Sequence, residues 1–386
     1  MQRRMEPKYR KRRERGLAVL VAALLLVIGS VIYIGIIRAN PPGPGDFKGD
    51  GNGKPVMVEI AEGSTVSELG PSLVEKGVVK SNSAFQTAAG KNSKAAAVKP
   101  GFYRLQESMS ADSAVAALVD PKNAVELLNI PGGQTLTDVN VIGGKPRKGI
   151  YSSIEQVTCK NGSKCVKVAD LERVAASEDP AALGVPMWAV EQVKKRGNDP
   201  KRLEGLIAPG QYVINPDHDA HEILKELVTK SAEGFQKTGI EQRSQAIGLQ
   251  PYEVLTAASL VEREAPAGDF DKVARVILNR LKKPMRLEFD STVNYGLKEQ
   301  EVATTDADRK RVTPWNTYAK DGLPETPIAS ASEEALKAME NPAEGNWLFF
   351  VTISKDGTTV FNESFEQHQR DTQRSIDSGV LDSQRR

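Results

Sequence analysis

The chain has 386 residues, with 52 Lys and Arg against 50 Asp and Glu, three histidines and two cysteines. Eight basic and two acidic residues fall in the first sixteen positions, so the rest carries 44 basic against 48 acidic groups and offers no basic face for nucleic acid. The cysteine pair supplies too few local ligands for a metal site, and roughly 330 residues beyond position 54 are enough for two or three domains.

Residues 1–16 form a basic tail, and residues 17–37 (LAVLVAALLLVIGSVIYIGII) carry no charge. At 1.5 Å per residue that stretch spans about 30 Å, the thickness of a hydrocarbon core, which predicts a transmembrane helix. The basic cluster holds the N-terminus in the cytoplasm and places the rest of the chain outside the cell membrane. A cleaved signal peptide would have a shorter apolar region and a small-residue cleavage site, but Arg38 and a Pro/Gly run follow here. Residues 38–54 read as a flexible linker.

An internal echo then appears at an offset of 70: residues 58–69 (VEIAEGSTVSEL) align with 128–139 (LNIPGGQTLTDV). Each copy predicts a strand, a glycine turn and a helix start, with capping-box logic at Thr65/Glu68 and Thr135/Asp138. These are read as two small α+β modules, residues 55–125 and 126–245. The first has an apolar helical stripe (Val66, Leu69, Leu73, Val74) and a return strand at 101–105. The second carries an insertion over 140–200, with Cys159 and Cys165 expected to close a local disulfide and a helix predicted near Trp188–Lys195.

Residues 246–386 form the most regular segment. Pro251 opens a helix to Ala265, and Asp269 is placed to cap a second with the stripe Val273, Val276, Ile277, Leu281. Residues 347–361 predict a β-hairpin about Lys355-Asp-Gly357, and Ser364/Gln367 cap a terminal helix. The fold class is therefore α+β, ending in a mixed helical and hairpin domain.

On the 251–265 helix Glu262 falls among Val254, Leu255, Ala258 and Val261, whereas Glu264 lies about 200° round. A carboxyl on an apolar face is desolvated and stays protonated, as a general acid for glycosidic cleavage must; a buried Glu pairing with an Arg would look the same. Residues 286–296, with Glu288, Asp290 and Tyr295, and residues 315–318, with Asn316 and Tyr318, mix amides, hydroxyls and aromatic faces suited to a sugar polymer, or to turn capping and core. His218 and His221 sit among acids at a helix start, a capping pattern more than a metal site, and no zinc-peptidase, serine-hydrolase or phosphate-loop motif is present.

These motifs together resemble the endolytic murein transglycosylase (YceG-like) family of membrane-anchored glycan-strand cutters. Ala258-Ser-Leu-Val-Glu-Arg-Glu264 is similar to its Ala-Ser-Ile-Val-Glu-Lys-Glu motif, and residues 276–281 to its Asn-Arg-Leu helix. Residues 285–296, 315–328 and 361–368, the last ending in His368, follow in the family's order. Departures are Glu288, Ser291, Trp315, Glu325 and Ala331-Ser332.

The resemblance implies cleavage of MurNAc-β-1,4-GlcNAc bonds within peptidoglycan strands to 1,6-anhydro-MurNAc ends, with Glu262 as acid and then base. It also implies Glu288, Asp290, Tyr295, Asn316, Tyr318 and His368 on the substrate, a LysM-like module at 55–125, no metal or cofactor, and membrane-bound peptidoglycan synthases as partners. A water-using muramidase and a non-catalytic wall-binding scaffold are the alternatives.

Overall fold

The computed structural model describes residues 19–381, apart from 35–44, 62, 143, 162–163, 216, 298 and 301–303. The chain forms two compact units, Met1–Val125 and Glu126–Arg386. Residues 19–34 are helical (α1) and every one of them is exposed. Over those sixteen residues α1 runs about 24 Å, and among the described residues no helix is long and apolar enough to cross a membrane. Both ends of the predicted span, and the basic tail, lie outside the described residues.

In the first unit β1 (Pro55–Ile60) pairs antiparallel with β2 (Gly101–Gln106), from Pro55 opposite Gln106 to Ile60 opposite Gly101, and β3 (Ala124–Val125) extends the sheet. Alternation buries Val58, Ile60, Tyr103 and Leu105 on one face. Three helices supply the other half of that core: α2 (Gly70–Glu75), α3 (Asn82–Lys91) and α4 (Ala111–Val119). They contribute Leu73, Phe85 and Leu118, each at most 1% exposed. The Thr65 N–H donates to the Glu68 carboxylate as the capping pattern requires, but a 3₁₀ turn intervenes before α2 and leaves Val74 exposed.

In the second unit β4 (Leu128–Ile130) leads past Gly132–Gly133 to β5 (Asn140–Val141) and then α5 (Ile150–Asn161), α6 (Val168–Ser177) and α7 (Met187–Lys195). The strand β6 (Gly210–Tyr212) returns antiparallel to β4. Next come α8 (Ala220–Thr238), α9 (Ile240–Ile247), α10 (Pro251–Glu264), α11 (Phe270–Lys282) and the short α12 (Asp290–Tyr295). The strand β7 (Glu299–Gln300) pairs parallel with β5. After α13 (Asp306–Arg309) and α14 (Glu333–Glu340) comes a hairpin of β8 (Phe349–Thr352) and β9 (Thr359–Asn362), and α15 (Phe365–Asp377) packs on it.

One hydrophobic cluster runs from Leu128 to Met339, so residues on either side of position 245 share a core. The helix expected at Thr135 is absent. Asp138 accepts the Gly149 N–H (2.7 Å) and the Leu136 N–H is taken by the buried Glu204 (3.1 Å), which holds residues 134–139 as a loop and delays the helix to Ile150. Asp269 precedes α11 without capping it; its carboxylate pairs with Lys272 instead (2.7 Å). Cys159, near the end of α5, is bonded to Cys165.

Candidate active site

The helix α10 is the spine of the site. From Tyr252 to Val261 every residue but Glu253 is buried, because Ala257, Ala258 and Ser259 let neighbouring elements approach on several sides. The helix then surfaces at Glu262-Arg263-Glu264, and the two carboxylates leave in opposed directions.

Glu262 is held by structure. Its Oε2 accepts the Ser332 N–H (2.9 Å) and the Ser332 Oγ–H (2.5 Å), while Ser332 Oγ accepts the Ala335 N–H (3.1 Å) and so caps α14. Its other oxygen packs against the glycine turn: a Cβ on Gly132 would lie 2.0 Å from Glu262 Oε1, so a larger residue there would displace the carboxylate. This carboxylate ties the end of α10 to the start of α14 beside the 131–134 turn.

Glu264 lies on the wall of a cleft of about 940 Å³. Its Oε1 accepts the Ser291 N–H (3.1 Å). Burial pushes its carboxyl above the ordinary range despite that hydrogen bonding, and the Asp290 charge adds to the rise.

Four of the residues expected on substrate line the same cleft: Glu288, Asp290, Tyr318 and His368. Asp290 Oδ1 accepts from Tyr318 Oη (2.9 Å) and Thr304 Oγ1 (2.8 Å), and Arg309 reaches both carboxylate oxygens (3.1–3.2 Å). Glu288 is held at φ +53°, an unusual conformation for a residue with a side chain, by its N–H to the Thr317 carbonyl (3.2 Å). His368 stacks on Phe349 (5.1 Å, 17°), and burial with the nearby Arg280 charge lowers its pKa and favours the neutral ring. Phe350 and Phe365 add aromatic faces.

Two expected residues stand elsewhere. Tyr295 is buried, with its hydroxyl donating to Glu204 (2.9 Å) and its ring edge-on to Trp315. Asn316 is 1% exposed; its amide donates to the carbonyls of Asp308, Arg309 and Arg311, and its oxygen accepts the Tyr318 N–H (2.9 Å). It organises the loop that carries Tyr318. The histidines of the 215–221 segment pair with acids, His218 with Glu226 and His221 with Glu178.

Sequence reasoning did not single out Glu264, Arg280, Arg309, Phe349 or Phe365. For Arg280 a signal was present: it follows Val273 by seven residues and so sits on the apolar face of α11, where it donates to the carbonyls of Leu348 and Leu287. Glu264 was passed over for lying off the apolar stripe of α10. That stripe faces the core, and Glu264, lying off it, reaches the cleft.

A family model described as the YceG-like family matches residues 58–374. A protein of Bacillus subtilis strain 168 named endolytic murein transglycosylase is 27% identical over 326 residues, 84% of this chain and 85% of that one. One of the same name from Streptococcus pneumoniae strain D39 is 28% identical over 347 residues, 85% of this chain but 60% of the relative's length. The crystal structure of a yceG-like protein from Listeria monocytogenes superposes with a TM-score of 0.54 at 27% identity, covering 83% of this chain and 99% of that one.

Proposed function

Because the chain belongs to the YceG-like family, we propose that it is an endolytic murein transglycosylase, a lyase that cuts peptidoglycan glycan strands, and that Glu264 rather than Glu262 carries the proton. The observation that carries this reading is the half-buried carboxyl of Glu264, its pKa raised, in an aromatic and hydroxyl-lined cleft. Glu264 gives its proton to the glycosidic oxygen as the C1–O bond breaks and positive charge develops at C1. The carboxylate left behind takes the proton of the same sugar's C6 hydroxyl, and that oxygen closes on C1 as a 1,6-anhydro ring. No water is consumed and no second free carboxylate is required.

A muramidase-type hydrolase is the second reading, favoured by Asp290 on the same wall. Asp290 is committed to Tyr318, Thr304 and Arg309, which leaves it poorly placed to activate a water. Mass analysis of purified glycan strands digested by the full chain separates the two. Internal cuts ending in 1,6-anhydro-MurNAc are expected; ends one water heavier would select the hydrolase.

The 21 uncharged residues at 17–37 and the eight basic residues before them support a single-pass anchor with the second unit outside the cell membrane, within reach of membrane-bound synthases. The β1-α2-α3-β2 order of the first unit supports a LysM-like glycan-contacting role. Protease added outside intact, wall-stripped cells is expected to digest the chain beyond about residue 40. Full protection would remove the anchor reading.

A further inference from the structure

A second pocket, of about 330 Å³, opens on the other side of the α12 start from the cleft and no step above uses it. The two are contiguous in the chain: Arg263 and Ser291 line the pocket, while their neighbours Glu264 and Asp290 line the cleft. Consecutive Cα atoms lie about 3.8 Å apart, so the pocket and the cleft share a wall at these residues.

The pocket's chemistry is one-sided. Arg147, Lys148 and Arg263 supply three cations, and among the described residues no aspartate or glutamate lines it. Arg263 is half-buried and donates weakly to the Gly133 carbonyl (3.3 Å), Arg147 donates to Gln300, and Lys148 donates to Gln156 (2.6 Å). Among the described residues none of the three forms an ion pair. Arg263 is partly desolvated and feels the Glu264 and Glu262 carboxylates, whereas Arg147 and Lys148 are exposed and have no acid beside them in the pocket lining, so the set carries net positive charge toward an incoming anion.

Gln134 adds an independent requirement. Its Nε2 donates to the Lys148 carbonyl (3.0 Å), which can only accept, so the amide orientation is settled and Oε1 is the other end. That Oε1 is buried and has no donor. Gln134 thus adds a buried acceptor to a pocket lined by three cations.

We infer that this pocket is a subsite for an acidic peptide, taking a carboxylate on Arg147 and Arg263 and a peptide N–H on Gln134 Oε1. Resting on the proposed function, the ligand is the peptide stem carried by the muramyl sugar of the strand in the cleft. The enzyme then selects strands by their stems as well as their sugars. A carboxylate held by a planar guanidinium gains charge-assisted, two-point hydrogen bonds that a neutral amide does not.

The test uses the full chain in detergent and two readouts. In the first, strands bearing peptides are compared with strands stripped by an amidase. The wild type is expected to prefer the bearing strands by about tenfold or more in kcat/KM, and Arg147→Gln to lose that preference. In the second, a soluble muramyl dipeptide is titrated by calorimetry against its carboxyl-amidated form and inorganic phosphate. The wild type is expected to bind the acid about tenfold tighter than either, and Arg147→Gln to bind all three alike. A wild type that treats both strands alike, or binds phosphate or the amide as well as the acid, overturns the inference. If no strand is cut at all, the proposed function fails, and the titration still decides the pocket.

Discussion

Glu264→Gln is expected to lower the cutting of purified glycan strands by at least 10²–10⁴-fold, the order of magnitude lost with one general acid–base group. The loss should be greater than for a single proton transfer, because the same carboxyl gives one proton and then removes another. Glutamine keeps the shape and can still accept the Ser291 N–H, so the fold is not expected to change. Glu262→Gln should behave differently. It weakens the carboxylate that receives the Ser332 N–H and hydroxyl, at a cost of about 1–3 kcal/mol in stability, and leaves turnover of the folded protein close to wild type. Denaturant titration beside strand digestion separates the two effects. The assignment fails if Glu264→Gln folds and cuts at near wild-type rate while Glu262→Gln folds and does not cut.

The second large effect lies behind the site. Glu204 is 1% exposed, and burial raises its carboxyl from 4.5 to about 7 even though Tyr295 Oη and the Leu136 N–H donate to it. The folded pKa lies above the unfolded one, so folding favours the protonated form. The contribution is fully present below about pH 4.5 and is lost as pH rises through about 7. A shift of that size corresponds to roughly 3 kcal/mol. Glu204→Gln is always neutral and keeps an oxygen for both donors. The variant is therefore expected to flatten the fall in stability between pH 4.5 and 7 and to be the more stable protein at pH 8. Chemical denaturation across that range measures it, and an unchanged slope would mean that Glu204 is ionised in the folded protein.

Much of the architecture was legible along the chain because it is local. The alternation of β1, the proline opening α10, the Lys355-Asp-Gly357 hairpin turn and the Ser364/Gln367 cap each depend on residues within four positions of one another. The cluster of Glu288, Asp290 and Tyr318 was also within reach of pattern, since the loops carrying them announce their polarity. What failed was long-range. Thr135 and Asp138 repeat the logic of Thr65 and Glu68, yet Glu204, about seventy residues away, takes the Leu136 N–H and Asp138 goes to Gly149. A capping pattern states which donors a side chain can satisfy, and only packing decides which donor arrives first.

The same holds at the centre of the site. Sequence alone determined that α10 ends in two carboxylates about 200° apart and that a glycan-cutting family is the one to which those motifs belong. Tertiary structure decided which carboxylate lines the aromatic cleft. Ser332, seventy residues beyond Glu262, folds back to hydrogen-bond to it, while Glu264 faces the aromatic cleft with Ser291 as its hydrogen-bonding partner. The physical reason is that an apolar helix face points into the core, where a carboxylate survives by being hydrogen-bonded to the fold, whereas a carboxylate off that face can line a cleft.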